Sequence, residues 1–194
     1  MIQPALFEEI EEAIVFDVET TGLDPVSDRI ASICMIKANI RQVAKGETIQ
    51  ADVFHTLINP EMALPKPAFR IHGLGDDVLS ACENFSEQAG EIAKFAGDLP
   101  LIAHNIEFDL GFLTQAFIRT DIAGPIFNLP FCTMDEMAEM VGGQYAETGR
   151  ISLKKCCGIM GIDFDRSTKH DARSDAMATL QLAAAISKLR MQGY

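Results

Sequence analysis

Basic side chains are scarce in this sequence. Its 194 residues hold 16 Lys and Arg against 28 Asp and Glu, a formal net charge of −12. A protein that coats long nucleic-acid duplexes is usually basic, so the balance excludes that class. Any traffic with a polyanion must rest on local positive groups and bound metal rather than on a global field. Long apolar runs are missing too. None approaches the ~20 residues that a membrane span needs, so no membrane is expected. The opening residues, MIQPALFEEIEEA, are acidic and lack the basic start of a secretory leader. Cysteine pairing is also absent as a pattern. Cysteines 34, 82, 132, 156 and 157 are odd in number and show no CxxC spacing. They read as small buried apolar residues of a reducing compartment, not as a disulfide frame or a zinc site. A cytoplasmic location is the expectation.

What remains is a chain that is 48% hydrophobic, enough for one substantial core, with a length that favours one domain. No repeat, low-complexity tract or linker interrupts it. Strands are expected at Ala13–Val18, Ile30–Lys37, Ala51–Ile58 and Leu99–Ala103, with an edge strand at Phe131–Thr133. Helices are expected at Asp76–Cys82, from a Ser86 cap to Phe95, at Phe108–Ile118 and at Met134–Val141. Two more run from a Ser152 cap to Met160 and over Asp171–Met191. Phe7–Glu12 reads as an acidic amphipathic stub. Strands first, then strands mixed with helices, predict an α/β sheet covered by helices.

The densest chemical signal is IVFDVETTG, Ile14 to Gly22. An apolar run ends in two acids spaced i, i+2, and such residues project from one face of a strand. Asp17 and Glu19 therefore point the same way. Carboxylates this close repel one another unless a cation or a shared proton lies between them, and oxygen clusters suit Mg²⁺ or Mn²⁺. Asp17, Glu19, Thr21, Gly22 and Asp28 also fall at positions 1, 3, 5, 6 and 12 of an EF-hand loop. That loop needs flanking helices, however, and Ala13–Val18 reads as a strand. A strand end with merely solvated acids is the plain alternative.

Two further segments carry acids and histidines where a strand or turn meets a helix, the usual place for function in α/β folds. They are His104-Asn105-Ile-Glu-Phe108-Asp109 and His170-Asp-Ala172-Arg-Ser-Asp175. Residues five apart on a helix are separated by about 140°. His170 and Asp175 can thus share a site if His170 sits just before the helix, after the Ser-Thr loop. Taken alone, this segment reads equally as an exposed His and a solvated acid in a first helical turn.

Together the three segments resemble the DEDDh 3′–5′ exonucleases, the DnaQ-like group that contains the proofreading epsilon subunit of bacterial DNA polymerase III. The family's FDxETTGL is matched by Phe16 to Leu23, its HNxxFD by His104 to Asp109, and its HxAxxD by His170, Ala172 and Asp175. Order and spacing agree over about residues 13–186. Ile58-Asn59-Pro60 and Ile71-His72-Gly73 look like family landmarks as well. The resemblance implies one exonuclease domain over 1–194 with a ribonuclease H-like α/β fold, a mixed five-stranded sheet flanked by helices. It implies two Mg²⁺ or Mn²⁺ ions held by Asp17, Glu19, Asp109 and Asp175, with His170 as general base. It also implies that the backbone around Thr20, Thr21, Gly22 and Leu23 holds the terminal nucleotide. Leu23 would wedge against its base, Phe108 would pack near the scissile nucleotide or in the core, and His104 and Asn105 would contact substrate or fix their loop. Lys169 and Arg173 are candidates for phosphate contact or ordinary surface charge.

The function so implied is metal-dependent removal of 5′-mononucleotides from the 3′ ends of single-stranded DNA or RNA. One alternative is a proofreading subunit working with a DNA polymerase. Another is a non-catalytic nucleic-acid-binding module, disfavoured because all five catalytic side chains are present. The chain stops soon after its last helix, so no polymerase-tethering tail is expected. ETTG, unlike the EMTG-like form of oligoribonucleases, points away from that subgroup.

Overall fold

The computed structural model describes residues 10–47, 51–124, 130–164 and 169–193. Five strands form one sheet in the order β3-β2-β1-β4-β5. They are β1 (Glu12–Thr20), β2 (Ile30–Asn39), β3 (Asp52–Leu57), β4 (Leu101–Ala103) and β5 (Phe131–Cys132). β1 pairs antiparallel with β2, and β2 with β3, whereas β4 lies parallel to β1 and β5 parallel to β4. This is the expected mixed sheet, and the fold is ribonuclease H-like.

Alternation along β1 sorts its side chains between two cores. Ile14, Phe16 and Val18 join the cluster formed with α4 (Phe85–Ala96) and α5 (Ile106–Ile118). Ala13 and Val15 join the opposite cluster, built on α9 (Ala172–Met191) with α6 (Thr133–Val141) and α8 (Leu153–Met160). Asp17 and Glu19 continue that second face past the last apolar residue. They therefore point toward the end of α9 that carries Asp175. Small residues such as Ala172, Ala176 and Ala183 are fully buried on α9, which lets its backbone approach the sheet closely.

Three short helices escape the sequence pattern: α1 (Ile40–Ala44), α2 (Lys66–His72) and α7 (Gln144–Thr148). α2 opens on Pro65-Lys66-Pro67 and stops at Gly73, whose φ of 78° is left-handed. A proline in the first turn and a glycine after the last are helix punctuation, here read as a loop. α3 spans only Asp76–Leu79, shorter than expected. The α4 cap is Asn84 rather than Ser86. Its side chain accepts from the Glu87 N–H, and Glu87 returns the bond to the Asn84 N–H. α5 begins two residues before the expected Phe108. Glu12 belongs to β1, and residues 7–9 of the expected N-terminal stub lie outside the described residues.

The thiols behave as packing groups. Cys34, Cys132, Cys156 and Cys157 are buried and form no disulfide with one another. Burial pushes Cys34 and Cys156 up to about 12, so neither is a nucleophile at neutral pH.

The central place of β1 sets an expected outcome. Phe16 is fully buried, and Phe16→Ala should lower unfolding free energy by about 3–5 kcal/mol. Urea titration measures this. A loss below about 1 kcal/mol would mean that β1 is not the core strand described here.

Candidate active site

The site starts from a mismatch in strand length. β4 pairs with β1 only through Ile14–Leu101 and Val15–Ile102. Beyond Ala103 the chain turns away into α5, and the edge of β1 from Asp17 onward loses its neighbour. An unpaired backbone N–H inside a protein is costly. The Asp109 carboxylate, from the first turn of α5, accepts a 3.1 Å hydrogen bond from the Val18 N–H. One acid thus replaces the missing strand and is fixed beside Asp17 and Glu19.

Asn105 makes the turn possible. It stands before α5 with φ 76° and ψ 56°, a left-handed conformation that asparagine tolerates better than most residues. His104 is braced on both ring nitrogens. Nδ1 lies 3.1 Å from Thr133 Oγ1 and Nε2 2.8 Å from the Ile151 carbonyl. A carbonyl only accepts, so Nε2 carries the proton. Of the two sequence readings for His104, these contacts favour fixing the loop.

The third segment arrives as the sequence requires. α9 starts at Ala172, so His170 precedes it, and its Nδ1 lies 3.8 Å from Asp175 Oδ2. Asp171 caps the helix by accepting from the Ser174 N–H. The His170 N–H donates to the Ile71 carbonyl at 2.9 Å, and Lys169 Nζ sits 4.3 Å from the Phe69 ring centroid. α2 therefore anchors the approach to His170. Lys169 is held there, and Arg173 lines a separate depression with Asp163 and Phe164. The Ser-Thr loop before Lys169 lies outside the described residues.

Asp17, Glu19, Asp109, His170 and Asp175 all line one cavity of about 360 Å³. Glu19, Asp109 and Asp175 are buried. Ligand atoms of Glu19, His170 and Asp175 lie within 4.8 Å of one another. Burial raises the Asp109 carboxyl to about 8; the Val18 N–H opposes the rise and the Asp175 charge adds to it. Like charges gathered out of water are unfavourable without a cation. The donor set, hard oxygens with one imidazole, fits divalent cations of the Mg²⁺ or Mn²⁺ type.

The cavity's apolar wall comes from Leu23, Pro67, Ala68, Ile71 and Phe108. Leu23 is 81% exposed at the mouth. The Phe108 ring packs 4.9 Å from that of Phe112, and the residue also lines the cavity. The Thr20–Asp28 turn is tied by Asp28, whose carboxylate accepts from the Thr21 hydroxyl and the Asp24 N–H. A Cβ on Gly22 would collide with that carboxylate, which the turn holds in place, and this explains the glycine. Thr20 Oγ1 donates to the Gly22 carbonyl, and Thr21 is buried. These side chains hold the turn, and Thr20, Thr21, Gly22 and Leu23 line the cavity. With strands on both sides and Asp28 committed to the turn, the EF-hand alternative is discarded.

The sequence marked Ile71-His72-Gly73 only as a landmark, and neither α2 as a wall of the cavity nor His72 as part of its lining was foreseen. His72 is buried, and its Nδ1 accepts from the Leu74 N–H at 3.1 Å. Burial lowers its pKa, with the Thr20 carbonyl opposing.

A family model described as Exonuclease (RNase_T) matches residues 14–183. The chain is 32% identical over 185 residues to DNA polymerase III subunit epsilon of Rickettsia prowazekii, covering 93% of this chain and 76% of that one. It is 30% identical over 169 residues to a DNA polymerase III subunit epsilon-like protein of Rhodobacter capsulatus, covering 87% of this chain but 22% of the relative. It spans 12% of a PolC-type DNA polymerase III from Latilactobacillus sakei at 28% identity. Among solved structures, E. coli exonuclease I with a dT13 oligonucleotide superposes with a TM-score of 0.72 at 18% identity, over 95% of this chain and 43% of that one. The zinc-bound E. coli exonuclease I–ssDNA complex gives 0.73 at 20% identity, over 94% and 42%.

The raised Asp109 pKa yields a sign-definite outcome for metal-free protein. A carboxyl protonated in the fold but ionised in the unfolded chain makes stability fall as pH rises from about 4 to about 8. Asp109→Asn keeps an acceptor for the Val18 N–H and removes the charge. Thermal unfolding in chelator at pH 7.5 should therefore show a higher midpoint for the variant, by roughly 2–4 °C per kcal/mol regained. A lower midpoint would refute the buried-charge account.

Proposed function

Because the chain belongs to the exonuclease family whose model spans residues 14–183, we propose that it is a metal-dependent 3′–5′ exonuclease. On this reading it releases 5′-mononucleotides from the 3′ ends of single-stranded DNA or RNA in the cytoplasm, and residues 1–194 are one exonuclease domain. The observation that carries it is the convergence of Asp17, Glu19, Asp109, His170 and Asp175 on one cavity.

Asp17, Glu19, Asp109 and Asp175 would hold two Mg²⁺ or Mn²⁺ ions. When bound, such ions supply charge neutralisation at the attacked phosphoryl group and the leaving oxygen. The chain's own residues do the rest. The Thr20–Leu23 backbone and the α2 wall receive the terminal nucleotide. Leu23 and Phe108 offer apolar faces to its base or sugar, a contact that tolerates any sequence. His170 removes the proton from the attacking water, a task for imidazole, which exchanges protons near neutrality. Its half-exposed ring, beside the buried Asp175 carboxylate, can pass that proton to solvent. The Ile71 carbonyl and the cap on α9 hold the His170 backbone in place.

A second reading, a proofreading subunit acting with a DNA polymerase, is favoured by the likeness to the epsilon subunit of R. prowazekii. Co-purification with a polymerase separates the two.

Linear and circular single strands, with and without chelator, test the main proposal. The linear strand should shorten from its 3′ end, the circle should survive, and chelator should stop the reaction. His170→Ala should lower kcat by about 10²–10⁴-fold. Asp17→Asn should abolish most activity without unfolding the protein. Efficient cutting of the circle, or undiminished activity in chelator, would refute the proposal.

A further inference from the structure

The cavity just described does not end at the carboxylates. Asp17, His104 and Asn105 line it on one side and line a second groove of about 400 Å³ on the other. That groove runs over Arg150 and Ser152. Ser152 in turn borders a third depression, lined by Lys154 and Lys155. The three recesses thus adjoin one another through shared lining residues.

Charge along this path is unlike that of the whole molecule. Residues 150–155 contribute Arg150, Lys154 and Lys155, all exposed, in a chain with 16 basic residues against 28 acidic ones. The only acid among the described residues lining the second and third recesses is Asp17 itself. None of the ion pairs among the described residues uses these three side chains. Their charge is available to a ligand. The groove is also rigid at its head, because the Ile151 carbonyl is held by His104 Nε2 and the Ser152 side chain caps α8 by accepting from the Lys155 N–H.

We propose that Arg150, Lys154 and Lys155 form a track for the sugar-phosphate backbone upstream of the scissile bond. This rests on the exonuclease reading above. With the terminal nucleotide in the first cavity and the reacting phosphodiester across Asp17, the preceding nucleotide must leave over His104 and Asn105. That exit leads into the second groove. Its next phosphates then meet Arg150 and the α8 lysines. The contacts are to phosphate, so they carry no base preference and do not read the 2′-OH that separates RNA from DNA.

Two substrates isolate the track. A nitrophenyl ester of thymidine 5′-monophosphate fills only the first cavity, its leaving group standing where the upstream nucleotide would be. An eight-nucleotide single strand also fills the track. The Arg150→Ala/Lys154→Ala/Lys155→Ala variant should lower the ratio of oligomer kcat/KM to ester kcat/KM by roughly tenfold. The drop should be equal for oligo-dT and oligo-U. On a His170→Ala background, the slope of log affinity for the oligomer against log salt should become shallower by about 0.7 for each phosphate that is no longer neutralised. A Lys154→Glu variant should shift both readouts further than Lys154→Ala. An unchanged ratio and slope would overturn the track while leaving the exonuclease reading intact. Failure of the unaltered protein to split either substrate would overturn both.

Discussion

The hydrogen bond from the Val18 N–H to Asp109 is the joint on which the site depends. It exists because β4 is three residues long and β1 is nine. Where β4 stops, the sheet would leave a buried donor open, and an acid from α5 closes it. That closure brings the second acidic segment to the first. The pleat of β1 supplies the other half of the arrangement, because it sends Asp17 and Glu19 to the face on which α9 lies. The start of α9 then delivers His170 and Asp175. A sheet edge, a pleat and a helix end fix the five side chains without any long-range charge attraction.

That arrangement stores electrostatic tension. Asp109 and Asp175 are each only 3% exposed, and each disfavours the other's charge. A cation resolves the conflict, and so does a proton on Asp109. The protein's fold and its metal affinity are linked through this choice. The surrounding turn is built for stiffness instead, with Asp28 stitched to Thr21 and Asp24 and with Gly22 leaving room for that carboxylate. The net charge of −12 works against polyanion binding, which makes the local run of basic residues beside the second groove more consequential.

Much of this was legible in the sequence, for reasons particular to each residue. Alternation in Ile14–Val18 announced a strand, and the i, i+2 acids at its end announced a shared face. Asp175 followed from a helix whose start placed His170 outside it. What escaped was non-periodic or non-local. α2 has seven residues, too few to show a helical period, and its Pro65 and Pro67 mimic a loop. Asn84 outcompeted Ser86 as a cap because Glu87 stands three residues after Asn84. The braces on His104 come from Thr133 and Ile151, 29 and 47 residues away, and no local pattern foretells such contacts. The groove past Asp17 is likewise a product of four distant segments, around residues 17, 104, 134 and 150.

The central claim is that the clustered carboxylates are a cage for divalent cations. Counting Mn²⁺ bound per chain by electron paramagnetic resonance, with a nucleoside 5′-monophosphate present, tests it most directly. The account predicts saturation at two ions, the number that two-metal phosphodiester hydrolysis calls for, with binding abolished in Asp175→Asn. Wild-type protein that binds no Mn²⁺, or an Asp175→Asn variant that binds as many ions as wild type, would contradict it.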